Sequence, residues 1–218
     1  MNRPLPTEQI ELQGPAGKID TLIDVPHEPR GIALVCHPHP LFQGANTNKV
    51  AHTLARSFRD LNYATVRPNF RGVGGSEGTH DEGWGETEDM LAVISWAQSR
   101  WGALPLAVSG FSFGAFVASR VAKKMAETAT PAHRIALVGT PSGEMIGSDR
   151  FYDLDKLPED VPTLLIHGEK DNTCPLQAVF DWAGEQDLPV SVIPGADHFF
   201  GGKLHVLRKV IEGSWGPL

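Results

Sequence analysis

The chain has 218 residues, of which 41% are hydrophobic and 21% charged, and its formal net charge is −7. That length and composition predict one globular domain over residues 1–218 and exclude the disordered and fibrous classes. An acidic chain is not expected to bind nucleic acid or an anionic membrane, because both require a clustered basic patch.

Cysteine usage and the lack of long apolar segments bear on the location of the protein. Two cysteines, Cys36 and Cys174, are too few for a disulfide framework and fit a reducing compartment. Residues 1–13 lack the apolar stretch of a signal peptide, and no run approaches the ~20 apolar residues of a membrane span. We therefore expect a cytoplasmic protein without a membrane partner, and nothing in the composition favours one oligomeric state.

Short apolar runs alternate along the chain with segments of helical periodicity. Residues 10–26 contain two β-like runs around "GPAGK" and predict an antiparallel hairpin at a sheet edge. Six further strands are predicted at residues 31–36, 63–68, 104–110, 134–139, 162–168 and 189–195, and most are continuously apolar, as strands covered on both faces require. Four amphipathic stripes, which begin at Val50, Met90, Phe113 and Leu204, predict helices between or after them. The pattern predicts an α/β fold with a mostly parallel sheet and helices on both faces.

A serine lies where the strand at 104–110 gives way to a helix. The sequence there is "GFSFG", residues 110–114, with Ser112 at its centre. A serine on such a sharp strand-to-helix turn presents its hydroxyl as a nucleophile, and the flanking glycines let helix and strand pass closely. The alternative is a glycine-rich helix start with Ser112 as the N-cap.

A serine nucleophile needs a base and an orienting carboxylate, and both follow later strands. Asp171 comes after the strand at 162–168, and His198 comes after the strand at 189–195. The order Ser, Asp, His is the one expected of α/β-hydrolases. The alternatives are a surface histidine at 198 and a turn-forming aspartate at 171, with Glu169 and Asp197 as competitors for the acid.

Five motifs in order carry a family resemblance. They read "CHPHPLFQG" (36–44), "NFRGVGGSEG" (69–78), "GFSFG" (110–114), "HGEKD" (167–171) and "GADHFF" (195–200). The chain thereby resembles the α/β-hydrolase superfamily, in particular its small lidless bacterial serine hydrolases. The resemblance implies that fold without a cap domain, with Ser112 as nucleophile, His198 as general base and then acid, and Asp171 as the orienting carboxylate. No metal and no organic cofactor is expected.

The oxyanion hole needs two backbone N–H donors. One is expected from Phe113, the residue after the nucleophile. The other is expected from the loop after residues 31–36, where the two prolines have no N–H and leave His37, His39 and Leu41. Correspondence with relatives that carry His-Gly at this place implies His39. A zinc site at His37 and His39 is the less favoured alternative, because no Asp-His pair follows at ligand spacing.

The glycine-rich loop at 71–78 is not expected to bind a nucleotide. It lacks the Gly-Lys-Ser/Thr of a P-loop, and Glu77 occupies the third glycine position of a dinucleotide fingerprint. Glu86 suits the N-terminus of the following helix. Arg71 is interpreted as an ion-pair partner there, or else as a group that meets polar substrate.

The expected substrate follows from the short segment at 140–161, which leaves no room for a helical cap and predicts an open site. Leu41, Phe42, Phe111 and Phe199 are predicted to bind substrate, together with Phe113 and Phe200, although any of these rings could instead belong to the core. The sequence therefore predicts a carboxylesterase for small, short-acyl esters. An amidase or peptidase, an acyltransferase and a non-catalytic binding protein on the same fold are the alternatives.

Overall fold

The computed structural model describes residues 6–215 and is built around one eight-stranded sheet. Residues 1–5 and 216–218, the ends of the predicted 1–218 domain, lie outside this range. The strands of the sheet are β1 (Glu8–Gly14), β2 (Gly17–Asp24), β3 (Gly31–Cys36), β4 (Tyr63–Pro68), β5 (Leu106–Phe111), β6 (Arg134–Val138), β9 (Thr163–Gly168) and β10 (Val190–Ile193). Their spatial order is β1-β2-β4-β3-β5-β6-β9-β10.

The predicted hairpin and the parallel sheet are both confirmed. Strands β1 and β2 pair antiparallel, and β2 pairs antiparallel with β4. Every other pairing in this sheet is parallel. Strands β3 and β4 begin and end where the apolar runs predicted.

Within residues 6–215, five α-helices cover the two faces of the sheet, and a short 3-10 helix spans Pro40–Phe42. The α-helices are α1 (Lys49–Asp60), α2 (Trp84–Trp101), α3 (Phe113–Ala126), α4 (Leu176–Gly184) and α5 (Leu204–Ser214). One core cluster contains residues of α2 and α3, and the other contains residues of α1 and α5. Strand β3 serves both clusters, because Ile32 and Leu34 belong to one and Ala33 and Val35 to the other. This two-sided burial explains why its sequence does not alternate.

One α-helix and one pair of short strands were not predicted from the sequence. Helix α4 buries only Val179 and Ala183, so its apolar stripe is too narrow to give a clear periodic signal. Strands β7 (Gly143–Glu144) and β8 (Phe151–Tyr152) form a separate two-stranded sheet and are too short to show alternation. Both strands lie in the segment between β6 and β9, which contains no helix, so the expected lack of a helical cap is confirmed.

The topology gathers the predicted functional residues at one rim. Ser112 directly follows β5, Asp171 follows β9, and His198 follows β10. These parallel strands end on the same side of the sheet, where α/β folds bind their ligands. No helix between residues 6 and 215 is both long enough and apolar enough to cross a membrane.

Candidate active site

Ser112 occupies a strained turn between β5 and α3. Its φ of 56° lies in the left-handed region, which residues other than glycine rarely adopt. A Cβ on Gly110 would lie 2.1 Å from the carbonyl oxygen of Gly114, and a Cβ on Gly114 would lie 2.3 Å from the carbonyl oxygen of Cys36. Only glycine therefore permits this crossing of helix and strand. The alternative interpretation of Ser112 was an N-cap whose side chain accepts a hydrogen bond from the helix. The Ser112 side chain makes no such bond to α3.

Three polar side chains form a continuous hydrogen-bonded chain at this turn. The hydroxyl oxygen of Ser112 lies 3.0 Å from Nε2 of His198, and Nδ1 of His198 lies 2.8 Å from Oδ2 of Asp171. His198 is 2% exposed, so water does not compete for its ring nitrogens. The structure thus brings together the three residues that the sequence predicted as a triad.

Asp171 is held as an anion by four donors. Its Oδ1 accepts the backbone N–H groups of Thr173 at 2.9 Å and Cys174 at 2.8 Å. Its Oδ2 accepts from His198 and lies 3.2 Å from Nε2 of His167. Burial by itself raises the pKa of Asp171, but the hydrogen bonds from His167, His198 and the backbone outweigh it and hold the pKa below its ordinary value.

The ionised Asp171 determines the tautomer of His198. A carboxylate can only accept, so Nδ1 of His198 carries the proton and donates it to Oδ2. The lone pair of Nε2 then faces Ser112 and accepts its hydroxyl proton. This is the arrangement in which a histidine acts as a general base toward a serine.

The two competitors for the acid role have other hydrogen-bond partners. Oε2 of Glu169 accepts the backbone N–H of Gly195 at 2.7 Å, and Oδ1 of Asp197 accepts the backbone N–H of Gly201 at 2.8 Å. Both side chains thus stabilise turns next to the site.

His167 contacts Asp171 and was not singled out from the sequence. Its Nε2 lies 3.0 Å from the carbonyl oxygen of Cys174 as well as 3.2 Å from Oδ2 of Asp171. Both partners are acceptors, so Nε2 carries the proton and shares it between them. Its Nδ1 is buried without a partner. The signal was present in "HGEKD", where a histidine ends a buried strand four residues before the acid.

Cys174 is a second residue that sequence reasoning did not place at the site. Its thiol is free and buried, and burial raises its pKa. Asp171, Cys174 and His198 are the one group of possible metal ligands found within residues 6–215, with ligand atoms within 4.8 Å of one another. Both nitrogens of this histidine are already engaged by Asp171 and Ser112.

The loop after β3 bears on the predicted oxyanion hole. The N–H of Leu41 donates to Nδ1 of His39 at 3.2 Å, which leaves that donor occupied. The ring of His39 packs against the ring of Phe113, with the centroids 4.8 Å apart. The loop segment of His39 therefore lies beside the start of α3, where the N–H of Phe113 is the first of the unpaired helix donors.

His37 supports this loop. Its Nδ1 donates to the carbonyl oxygen of Pro38 at 2.6 Å, and its Nε2 accepts the N–H of Phe70 at 2.9 Å. Burial lowers its pKa to about 3, and the pKa of His39 falls to about 4 through burial and the nearby His80 and Arg150. Nε2 of His37 therefore joins this loop to the loop after β4, and its Nδ1 bonds within its own loop.

The predicted substrate-binding side chains fall into two groups. Leu41, Phe42 and Phe199 are exposed by 69%, 64% and 57%. Phe111 is fully buried and lies under the imidazole of His198, with the ring centroids 4.9 Å apart. Burial fits the core role for Phe111 rather than the pocket role, and Phe113 and Phe200 are buried as well.

Arg71 and Glu86 hold the glycine-rich loop. Arg71 forms a bidentate ion pair with Asp89, at 2.8 and 2.9 Å, and this pairing raises its pKa. Glu86 accepts the N–H groups of Asp81 and Gly83 at the start of α2. Arg71 is therefore an ion-pair partner at the start of α2, with Asp89 as its main carboxylate and Asp81 at 4.0 Å.

Comparison with known proteins places this geometry in a family. A family model described as X-Pro dipeptidyl-peptidase (S15 family) matches residues 18–145, more than half of the chain. The uncharacterized protein RP471 of Rickettsia prowazekii is 32% identical over 214 residues, which cover 94% of this chain and 87% of that protein. The lysophosphatidylserine lipase ABHD12 of Danio rerio is 33% identical over 84 residues, 38% of this chain and 22% of that protein. This local match thus spans only about a fifth of the lipase.

A solved structure matches over almost the whole chain. The crystal structure of XC6422 from Xanthomonas campestris, described as an α/β serine hydrolase without lid, has 33% sequence identity and a TM-score of 0.85, and the match covers 100% of this chain and 99% of that one. The chain therefore belongs to the α/β-hydrolase superfamily, within the family that the S15 model describes, and is a serine hydrolase of that fold.

Proposed function

We propose that this protein hydrolyses carboxylic esters of small molecules, with Ser112 as nucleophile, His198 as general base and acid, and Asp171 as the orienting carboxylate. The observation that carries the proposal is the pair of short distances, 3.0 Å from Ser112 to His198 and 2.8 Å from His198 to Asp171. Both distances are within hydrogen-bond reach, so Ser112 can pass its proton to His198 while the ionised Asp171 orients the imidazole and stabilises the cation that forms.

The reaction takes two steps. Oγ of Ser112 attacks the ester carbonyl while Nε2 of His198 accepts its proton, and the N–H groups of Phe113 and His39 stabilise the oxyanion. The intermediate collapses as His198 protonates the leaving alcohol, which leaves an acyl group on Ser112. Water, deprotonated by the same imidazole, then releases the acid and restores the serine.

Ester rather than peptide substrates are favoured by the surroundings of the site. The exposed rings of Phe42 and Phe199 offer an apolar surface for a small acyl or alcohol group. The similarity to a protein named as a lipase also supports ester hydrolysis. A cytoplasmic location is part of the proposal and is supported by the two free thiols.

Peptide hydrolysis is the second candidate, because the matching family model is described as an X-Pro dipeptidyl-peptidase. It uses the same three side chains and differs in the leaving group, which is an amine. Turnover of a dipeptidyl p-nitroanilide such as Ala-Pro-p-nitroanilide distinguishes it from turnover of p-nitrophenyl butyrate.

The test compares the wild-type protein with Ser112→Ala and a matched control, Ser119→Ala, whose hydroxyl donates to the carbonyl oxygen of Phe116. We expect p-nitrophenyl butyrate hydrolysis and fluorophosphonate labelling to be lost in Ser112→Ala and kept in Ser119→Ala. Undiminished turnover by Ser112→Ala would refute the proposed nucleophile. Analysis of products with added alcohol separates hydrolysis from acyl transfer, and a wild-type protein that is neither labelled nor active would be a binding protein.

A further inference from the structure

A groove of about 970 Å³ begins at the proposed oxyanion loop. His39 and Phe113 line one end, and the groove extends along α3 to strand β8. Aromatic side chains are exposed along its walls, with Phe42 at 64%, Trp84 at 62% and Phe151 at 65%. So much exposed aromatic surface beside a catalytic turn is typical of a ligand-binding groove.

Arg150 lies in this groove without an anionic partner. Its guanidinium carbon is 4.3 Å from the centroid of the Phe42 ring. Its Nε donates to the hydroxyl of Ser148 at 3.0 Å, and Nη1 lies 3.5 Å from the hydroxyl oxygen of Tyr152. No carboxylate within residues 6–215 comes within 4.0 Å of it, although Asp149 is its neighbour in sequence. Several of its N–H groups therefore remain available to a ligand.

The positive charge of Arg150 affects groups near the nucleophile Ser112. It is one of the charges that lower the pKa of His39, the proposed oxyanion donor. It also acts on the thiol of Cys174, whose sulfur lies within 4.8 Å of a ring nitrogen of His198. A guanidinium so placed is within electrostatic range of a substrate bound at Ser112.

The other cationic side chains of the groove, unlike Arg150, have acidic groups close by. The walls carry five carboxylates and four cationic side chains in all. Lys123, however, pairs with Asp155 at 2.7 Å, and Lys124 pairs with Glu88, both along α3. The guanidinium of Arg120 lies 3.5 Å from the centroid of Trp84 and has Asp153 and Asp155 nearby. Arg150 is thus the lining cation that has no carboxylate partner in the described part of the chain, and Glu82, Glu127 and Asp149 carry the remaining negative charge of the walls.

We infer that the substrate is an anionic ester, whose carboxylate or phosphate binds Arg150 while its apolar part lies against Phe42 and Phe151. Guanidinium N–H groups match carboxylate and phosphate oxygens in geometry and charge. The inference rests on the proposed function, because it assumes that an ester is cleaved at Ser112. It adds a preference for negative charge that an apolar site alone would not have.

The experiment measures kcat/KM for two matched pairs of esters by titration of the released acid. The carboxylate pair is monomethyl adipate and methyl hexanoate, and the phosphate pair is 1-hexanoylglycerol 3-phosphate and 1-hexanoylglycerol. We expect the wild-type protein to prefer the anionic member of at least one pair about tenfold or more. The pair that shows the preference identifies the anion.

The variant Arg150→Gln tests whether this residue carries the preference. We expect kcat/KM to fall about 10- to 100-fold for the anionic ester and less than about threefold for the neutral one, mainly through KM. The neutral ester is therefore an internal control for folding. Arg100→Gln, which removes an arginine that stacks on Trp96 and Trp101, is the matched control and should change neither rate.

Two results would overturn the inference. One is a wild-type protein that cleaves both members of each pair at equal rates, and the other is an Arg150→Gln variant that keeps the preference. In either case hydrolysis of methyl hexanoate would still support the proposed function. A wild-type protein that cleaves none of the four esters would overturn both.

Discussion

Replacing Asp171 by Asn tests how the triad holds its proton. All four groups around the carboxylate are donors, two backbone N–H groups at Oδ1 and two imidazoles at Oδ2. The amide oxygen of Asn will stay with the backbone donors, so its NH₂ will face His198. Because an NH₂ group cannot accept, Nδ1 of His198 must give up its proton and accept, and the proton moves to Nε2, opposite Ser112. The imidazole can then no longer act as a base.

We expect kcat of Asp171→Asn for p-nitrophenyl butyrate to fall by about 10⁴, which corresponds to about 5 kcal/mol of transition-state stabilisation. The fold should persist, because the backbone N–H groups of Thr173 and Cys174 keep an acceptor, and circular dichroism will check this. Asp197→Asn is the matched control, since that side chain only caps Gly201, and its kcat should change less than about threefold. A kcat for Asp171→Asn within tenfold of the wild-type value would refute the reasoning.

Three further predictions concern the support of the site and of the fold. His167→Phe removes a donor to Asp171 and should lower kcat about 10- to 100-fold, with partial recovery in His167→Gln, whereas equal rates in all three proteins would contradict a positioning role. Gly110→Ala places a methyl group 2.1 Å from a backbone oxygen and should lower the free energy of unfolding, measured in urea, by more than about 4 kcal/mol. A Cβ on Gly213, which lies on α5, would have no atom within 4 Å. The control Gly213→Ala should therefore leave the stability unchanged or raise it by up to about 1 kcal/mol. Burial raises the pKa of Asp24, but its hydrogen bonds from Thr7 and Arg67 outweigh this and hold the pKa below that of the unfolded chain. The ionised Asp24 therefore stabilises the folded protein above about pH 4, and this contribution is lost as the pH falls below that value. Urea titrations from pH 7 to pH 3 should therefore show a weaker pH dependence in Asp24→Asn, and an unchanged slope would contradict this assignment.

The predictable parts of the fold are the strands and helices whose apolar residues form a continuous or periodic pattern in the sequence. Strands β3 and β4 match their apolar runs residue for residue, because each is buried on both faces. Helix α4 escaped prediction because only two of its nine residues are buried. Strands β7 and β8 have only two residues each, which is too short for an alternating pattern to show in the sequence.

The candidate site was predictable where strand order determines proximity. Ser112, Asp171 and His198 each follow a strand of a parallel sheet, so the sequence could predict that they meet. Cys174 could not be assigned in the same way, since its position depends on how the loop after β9 folds back, and His167, although it lies on β9, contacts Asp171 only because of that same fold. The exposure of Arg150 likewise depends on the small β7 and β8 sheet, which the sequence did not predict.

The three residues of the triad lie far apart in the chain, so the rate of hydrolysis is sensitive to local unfolding at the edge of the sheet. Ser112 and His198 are 86 positions apart, and His198 follows β10, which lies at the margin of the sheet and, among residues 6–215, pairs with β9 alone. Detachment of that outermost strand would carry the imidazole away from the hydroxyl while the seven other strands kept their pairing. In rising denaturant, catalytic inactivation should thus precede the loss of ellipticity, and the gap between the two midpoints would measure the local stability of the sheet margin.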